Sequence, residues 1–133
     1  KMLRINHIGL LITNLEKARY FYGAILGFNE ISRPKFLTEG IWYDLGTFQL
    51  HLMLYEKHKQ PHFHPLNETV QTHFSMEFSK KQFAMIISNL KQHNIDFIDI
   101  PYESRNDTTQ VFFYDFDGNM IEICQSKLDS NVA

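Results

Sequence analysis

Among its 133 residues the chain has a single cysteine, Cys124, so no disulfide can close within it. This usage fits a reducing compartment, and the cytoplasm is the expected location. Charge of one sign is also missing. The net charge is -2, with Lys and Arg dispersed among acids, so there is no basic stripe to hold nucleic acid. Long apolar runs are absent as well: near the start the longest, Ile8 to Ile12, is too short for a signal peptide or a membrane span. Lys1 before Met2 reads as a residue left ahead of the initiator and stays outside the fold reading. What is present is ordinary for a folded domain. With 44% hydrophobic and 21% charged side chains, the chain has enough apolar surface for one core and is not disordered.

The apolar pattern changes period along the chain. Leu3 to Ile12 alternates as a strand, with Ile8, Leu10 and Ile12 on one face and Ile5, His7, Gly9 and Leu11 on the other. Asn14 is then placed to cap a helix of about three turns. Its stripe is Leu15, Ala18, Phe21, Tyr22, Ile25 and Leu26, and Gly27 closes it. Extended segments follow at Phe28 to Phe36, Ile41 to Leu45 and Thr47 to Tyr55. Residues 56–69 are polar, hold two prolines and show no period, which marks a connecting loop. Val70 to Phe78 alternates again. Ser79 with Gln82 forms a capping-box start to a helix whose stripe is Phe83, Ile86, Ile87 and Leu90, ending near His93 and Asn94. Strands at Phe97 to Ile100, Gln110 to Tyr114 and Asn119 to Gln125 complete a second unit. The expectation is an α+β fold of two tandem βαβββ modules, 3–55 and 70–125, with a tail from 126. Together they would form one domain in which a curled, partly open mixed sheet surrounds a cleft.

One carboxylate carries the functional argument. Glu122 lies between Ile121 and Ile123 in an apolar strand, where an ionised group is costly unless it is paired or bound to a metal. The stretch from Asp115 to Glu122 has an echo in Asp44 to His51, since in both a potential ligand follows the Asp by seven positions. Superposing the modules pairs His7 with His73 and His51 with Glu122. Each sits on the strand face opposite the apolar stripe. Imidazole with carboxylate suits Zn, Ni, Fe, Mn or Co, and the lone cysteine argues against a thiolate site. Four such donors point to a divalent metal with positions left for water or substrate. Any one of these histidines alone would read as a polar residue on a wet sheet face.

With those residues in place, the chain resembles the vicinal oxygen chelate superfamily, which includes glyoxalase I, fosfomycin and bleomycin resistance proteins, methylmalonyl-CoA epimerase and extradiol dioxygenases. The resemblance covers almost the whole chain. It rests on Asn6-His7-Ile8-Gly9, on Asn14 to Tyr22, on Leu26-Gly27-Phe28 and on Phe113 to Glu122. It implies that His7, His73 and Glu122 are metal ligands. The fourth position varies in the superfamily, being Glu in glyoxalase I and Gln in the epimerase; here it is His51. Bacterial glyoxalase I carries an Arg four residues after its first His, where this chain has Leu11, and that argues against a glutathione adduct as substrate.

The expected activity is that of a metal-dependent lyase or isomerase acting on a small vicinal-oxygen substrate through a metal-stabilised enediolate. Glu122 would serve as ligand and proton shuttle. One alternative is an extradiol-type Fe(II) dioxygenase, although its facial triad has two His and one carboxylate and His51 would crowd it. Another is a protein that sequesters an antibiotic in a groove lined by Phe36, Trp42, Tyr43, Phe48 and Tyr102, or a thiol transferase of the fosfomycin type. Lesser candidates are His58, His62 and His64 as a lid, Cys124 bordering the cavity, Glu77 as an acceptor behind His73, and Arg105 for an acidic substrate. The resemblance implies a homodimer in which His7 and His51 share a site with His73 and Glu122 of the partner; the alternative is a closed monomer, since the loop from Glu56 to Thr69 is long enough to let the modules fold onto each other.

Overall fold

The computed structural model describes residues 2–57, 63–101 and 109–126. The chain divides into two compact units, 1–61 and 62–133, and each repeats one architecture. In the first unit β1 (His7–Ile12) leads into α1 (Leu15–Arg19), which continues as a π-helical turn (Tyr20–Ile25); β2 (Asn29–Ile31), β3 (Gly40–Asp44) and β4 (Gln49–Leu54) follow. In the second, β5 (His73–Phe78), α2 (Lys80–Gln92), β6 (Phe97–Pro101), β7 (Thr109–Tyr114) and β8 (Met120–Gln125) run in the same order. The sheets have strand orders β1-β4-β3-β2 and β5-β8-β7-β6. The repeat read from the sequence is therefore the repeat of the fold.

In each sheet the first and last strands pair in parallel while the remaining pairs are antiparallel. Alternation then sorts the side chains. In the first unit Ile12, Ile41, Tyr43, Leu50 and Leu52 are buried together with Ala18, Phe21, Tyr22, Ile25 and Leu26 of the helical segment. In the second, Met76, Val111, Phe113, Ile121 and Ile123 are buried with Phe83, Ile86 and Leu90 of α2. Each helix covers one face. His7, His51, His73 and Glu122 are left on the other.

The helix ends follow the sequence. Asn14 Oδ1 accepts from Lys17 N at 2.9 Å, and Ser79 Oγ accepts from Gln82 N at 3.1 Å. Gly27 takes φ +75°, the left-handed conformation that ends the first helical segment, and Phe28 N donates back to Tyr22 O at 2.9 Å. Four expectations differ. The first strand, expected from Leu3, begins at His7, and Leu3 and Ile5 are exposed. The first helix is α-helical for only 5 residues and then widens, Leu26 N donating to Phe21 O five positions back. The strand expected from Phe28 to Phe36 is paired only at Asn29–Ile31, because Arg33-Pro34 breaks the ladder. Val70 is fully exposed and precedes β5.

The seven-residue spacing after Asp44 and Asp115 also conceals a difference. Asp44 is the last residue of β3, paired with Gln49, and its Oδ1 accepts from Gly46 N at 2.9 Å. Asp115 lies one position beyond the Tyr114–Met120 pair, and its Oδ1 accepts from Asp117 N and Asn119 N at 2.9 and 2.8 Å. Both are turn-forming side chains, as short carboxylates in hairpins commonly are. They are not equivalent, since one turn spans 45–48 and the other 115–119. What is equivalent is the register of the ligand candidates with the first strands.

Candidate metal centre

Parallel pairing makes the match. Gly9 lies opposite His51 and Ser75 opposite Glu122, so in each unit the last-strand candidate sits two positions along from the first-strand histidine, on the same face. The four residues come together two by two. Among the described residues no group of three potential ligands forms.

In the second unit His73 Nε2 stands 3.7 Å from Glu122 Oε1, close enough for both to reach one ion through bonds of about 2 Å. His73 Nδ1 lies 2.7 Å from Gln71 O. A backbone carbonyl only accepts, so Nδ1 carries the hydrogen, and neutral His73 presents its lone pair on Nε2 toward the carboxylate. Metal-binding histidines are commonly oriented by such a bond from the other ring nitrogen. Glu122 is 7% exposed, and its Oε1 also accepts from Gln110 Nε2 at 2.8 Å. Among the described residues no Lys or Arg pairs with it. A buried carboxylate facing an imidazole lone pair, with no Lys or Arg paired to it among the described residues, is an arrangement that a divalent ion would complete. The alternative is a protonated His73 forming a simple ion pair.

In the first unit the rings are stacked. Trp42 lies against His51 at 3.9 Å between centroids and 3° between planes, and His7 covers the other side at 4.1 Å and 16°. His7 Nδ1 lies 2.7 Å from Asn6 Oδ1, which leaves Nε2 as its donor to an ion, as in His73. His51 instead engages Gln49 Oε1 through Nε2 at 2.8 Å. Lone pairs lie in the ring plane, so parallel rings do not converge on one ion. Chelation by this pair requires the exposed His7 ring to rotate about its side-chain bonds. Burial depresses the His51 pKa below the ordinary histidine value, with smaller contributions from the charges of His7 and Arg33. That keeps His51 a neutral donor near pH 7. Within each unit the donor types, a pair of imidazoles in the first and an imidazole with a buried carboxylate in the second, are ones that Zn, Ni, Fe, Mn or Co accept.

The secondary candidates separate. Glu77 is exposed and lies opposite Cys124, and the acceptor behind His73 is the Gln71 carbonyl instead. Cys124 shares the Glu122 face, half-buried, with its Sγ 3.7 Å from Met76 O. His64 lies 3.8 Å from Glu68 and lines a cavity of about 520 Å³ with Phe63, Tyr114 and Phe116. His58, His62, Tyr102 and Arg105 lie outside the described residues. Of the groove aromatics, Trp42 and Phe36 are on the His51 side with ring centroids 6.0 Å apart, whereas Tyr43 is fully buried against the helical segment. Sequence reasoning missed Gln49, Gln110 and the role of Asn6. Only the alternation of β4 and β7 hinted at the first two.

The comparisons with known proteins agree with this architecture. Residues 4–123 match the family model of the Glyoxalase/Bleomycin resistance protein/Dioxygenase superfamily. Glyoxylase I 4 of Arabidopsis thaliana is 32% identical over 123 residues, covering 90% of this chain and 69% of the relative. The crystal structure of a glyoxalase/dioxygenase from Nostoc punctiforme is 26% identical, with a TM-score of 0.73 over 92% of this chain and 90% of that one. A mutant of the fosfomycin resistance protein FosX from Listeria monocytogenes was crystallised with Mn(II) and 1S,2S-dihydroxypropylphosphonic acid. It shares the fold at 17% identity and a TM-score of 0.72, over 99% of this chain and 98% of that one. By its repeated βαβββ units and the match over most of its length, this chain belongs to the Glyoxalase/Bleomycin resistance protein/Dioxygenase superfamily.

Proposed function

We propose that the protein is a metal-dependent lyase or isomerase of glyoxalase type acting on a small molecule with two adjacent oxygens, and that His7, His51, His73 and Glu122 hold its divalent ion. The observation that carries this reading is the His73–Glu122 pair, in which a lone pair fixed by the Gln71 carbonyl faces a buried carboxylate at 3.7 Å. The Arabidopsis relative named as a glyoxalase I and the Mn(II) complex of FosX support it. A bound divalent ion supplies Lewis acidity that makes a C–H beside a carbonyl acidic. Glu122 accepts and returns that proton. Gln110 fixes the Glu122 Oε1 atom through its 2.8 Å hydrogen bond, limiting the carboxylate to small swings. Trp42 and His7 shield the His51 ring from water on both faces.

In this reading the two units act as one glyoxalase-like domain in a cytoplasmic homodimer with two such sites. The lone cysteine agrees with that compartment. Elemental analysis of purified protein tests the site first: bound metal near one equivalent per chain is expected, lost in His7→Ala and Glu122→Ala with the fold intact. Activity is then screened on methylglyoxal-thiol adducts, epimerisable acyl thioesters and catechols. Turnover of catechols alone, with uptake of dioxygen, would replace the lyase reading by the dioxygenase one.

A further inference from the structure

On the site face of the first sheet, register sets three rows across β3, β4 and β1. Gly40, Met53 and Leu11 form one row, Trp42, His51 and Gly9 the next, and Asp44, Gln49 and His7 the third. Arg33 lies at the Gly40 row. A Cβ on Gly40 would stand 2.9 Å from Arg33 Nε and 3.2 Å from its Cζ, so the side chain occupies space that only glycine leaves. Its Cζ is 4.8 Å above the Phe36 ring. Phe36 is 6.0 Å from Trp42, Trp42 stacks on His51, and His51 on His7. One continuous tier of rings thus joins a guanidinium to two candidate ligands.

The guanidinium is poorly answered by the described residues. Nη1 donates to Thr38 O at 2.8 Å and Nη2 makes a long contact of 3.5 Å with Thr38 Oγ1. Nε is buried with no acceptor among the described residues, and no carboxylate there pairs with Arg33. The Thr38 carbonyl bond alone could be an anchor for the segment before β3. A cation packed on a ring beside the site, with no anion among the described residues, is better explained by an anion that arrives with the substrate.

We propose that Arg33 is a specificity-determining residue that binds a carboxylate carried by the substrate, remote from the two oxygens that meet the ion. The inference rests on the metal reading above. Adjacent rows are about 7 Å apart, two strand residues, which an extended chain spans in roughly six single bonds. The substrate class is therefore an elongated vicinal-oxygen compound with a terminal carboxylate.

The test uses the full chain loaded with Co(II), whose visible bands report both the ion and its ligands. Titration with 2-oxosuberate is compared with 2-oxooctanoate, which has the same length and a neutral end. In the wild type the diacid is expected to bind roughly tenfold tighter or more. Arg33→Gln should erase that ratio while leaving Co(II) affinity unchanged, and Arg33→Lys should keep part of it. No preference in the wild type, or a ratio that survives in Arg33→Gln, overturns the proposal even if the metal site stands. Failure of the wild type to bind Co(II) at all overturns the metal reading and the Arg33 role with it.

Discussion

Replacing Glu122 by Gln asks whether the fold needs this carboxylate or merely tolerates it. The side chain is 7% exposed, accepts from Gln110 at 2.8 Å and lies 3.7 Å from His73 Nε2. An amide of the same shape keeps a carbonyl oxygen for Gln110 and removes the charge. Burying a polar group without full compensation costs about 1–3 kcal/mol on mutational scales, and a hydrogen bond to a charged group returns about 1.5–3. The neutral amide retains a bond worth about 1 kcal/mol and carries a much smaller desolvation cost. If no protonated partner neutralises Glu122, the metal-free Glu122→Gln variant should gain about 1 kcal/mol, or about 4 °C in Tm for a chain of this size. Mn(II) should invert the order. At a hundredfold excess over the wild-type Kd it adds about 2.7 kcal/mol to the wild type and less to the variant, whose neutral amide oxygen is the weaker ligand. Differential scanning calorimetry in EDTA and in Mn(II) reads both halves. A Glu122→Gln protein that melts lower than wild type in EDTA would show that an ion pair with His73⁺ supports the fold, and the argument for a site awaiting a cation would fail.

Three further outcomes follow from the same geometry. Gly40→Ala places a Cβ 2.2 Å from Leu52 O and 2.9 Å from Arg33 Nε, so the strand must shift; a loss of about 2–4 kcal/mol is expected in chemical denaturation, and a loss under 0.5 would contradict it. Tyr43 has its hydroxyl buried with no partner among the described residues, and burial pushes its pKa up to about 12, so Tyr43→Phe should be neutral or stabilise by about 1 kcal/mol. Urea melts check this, and clear destabilisation would reveal a bond to the hydroxyl. For His51 the folded pKa lies below the unfolded value of about 6.5, so the unfolded chain binds more protons in the window between them. Stability should fall as pH drops below about 6.5, and His51→Gln should flatten that slope in denaturation series between pH 7 and 5.

The division between the helical segment and α2 shows what local pattern can carry. Ser79 and Gln82 announce α2, and 80–92 is regular as expected. After Asn14 the same stripe spacing appears, yet the helix widens into a π turn at Tyr20 while Phe21, Tyr22, Ile25 and Leu26 are all still buried. Periodicity records which residues go inside and not how wide the turn must be to place them.

By itself the sequence determined the doubled βαβββ order, the faces of the strands and the matched positions of His7, His51, His73 and Glu122, since alternation, caps and glycine turns are local properties that one stretch of chain displays. Tertiary structure alone decided the parallel pairing of β1 with β4 and β5 with β8, which brings residues more than forty positions apart onto one row. It also decided the details of the candidate site: the Gln71 carbonyl that fixes the His73 tautomer, the Gln110 bond to Glu122, the Trp42–His51–His7 stack and the arginine lying across Gly40. Each of these is a contact between neighbours in space, set by register and packing, and no period along a single strand encodes which residue the next strand will present.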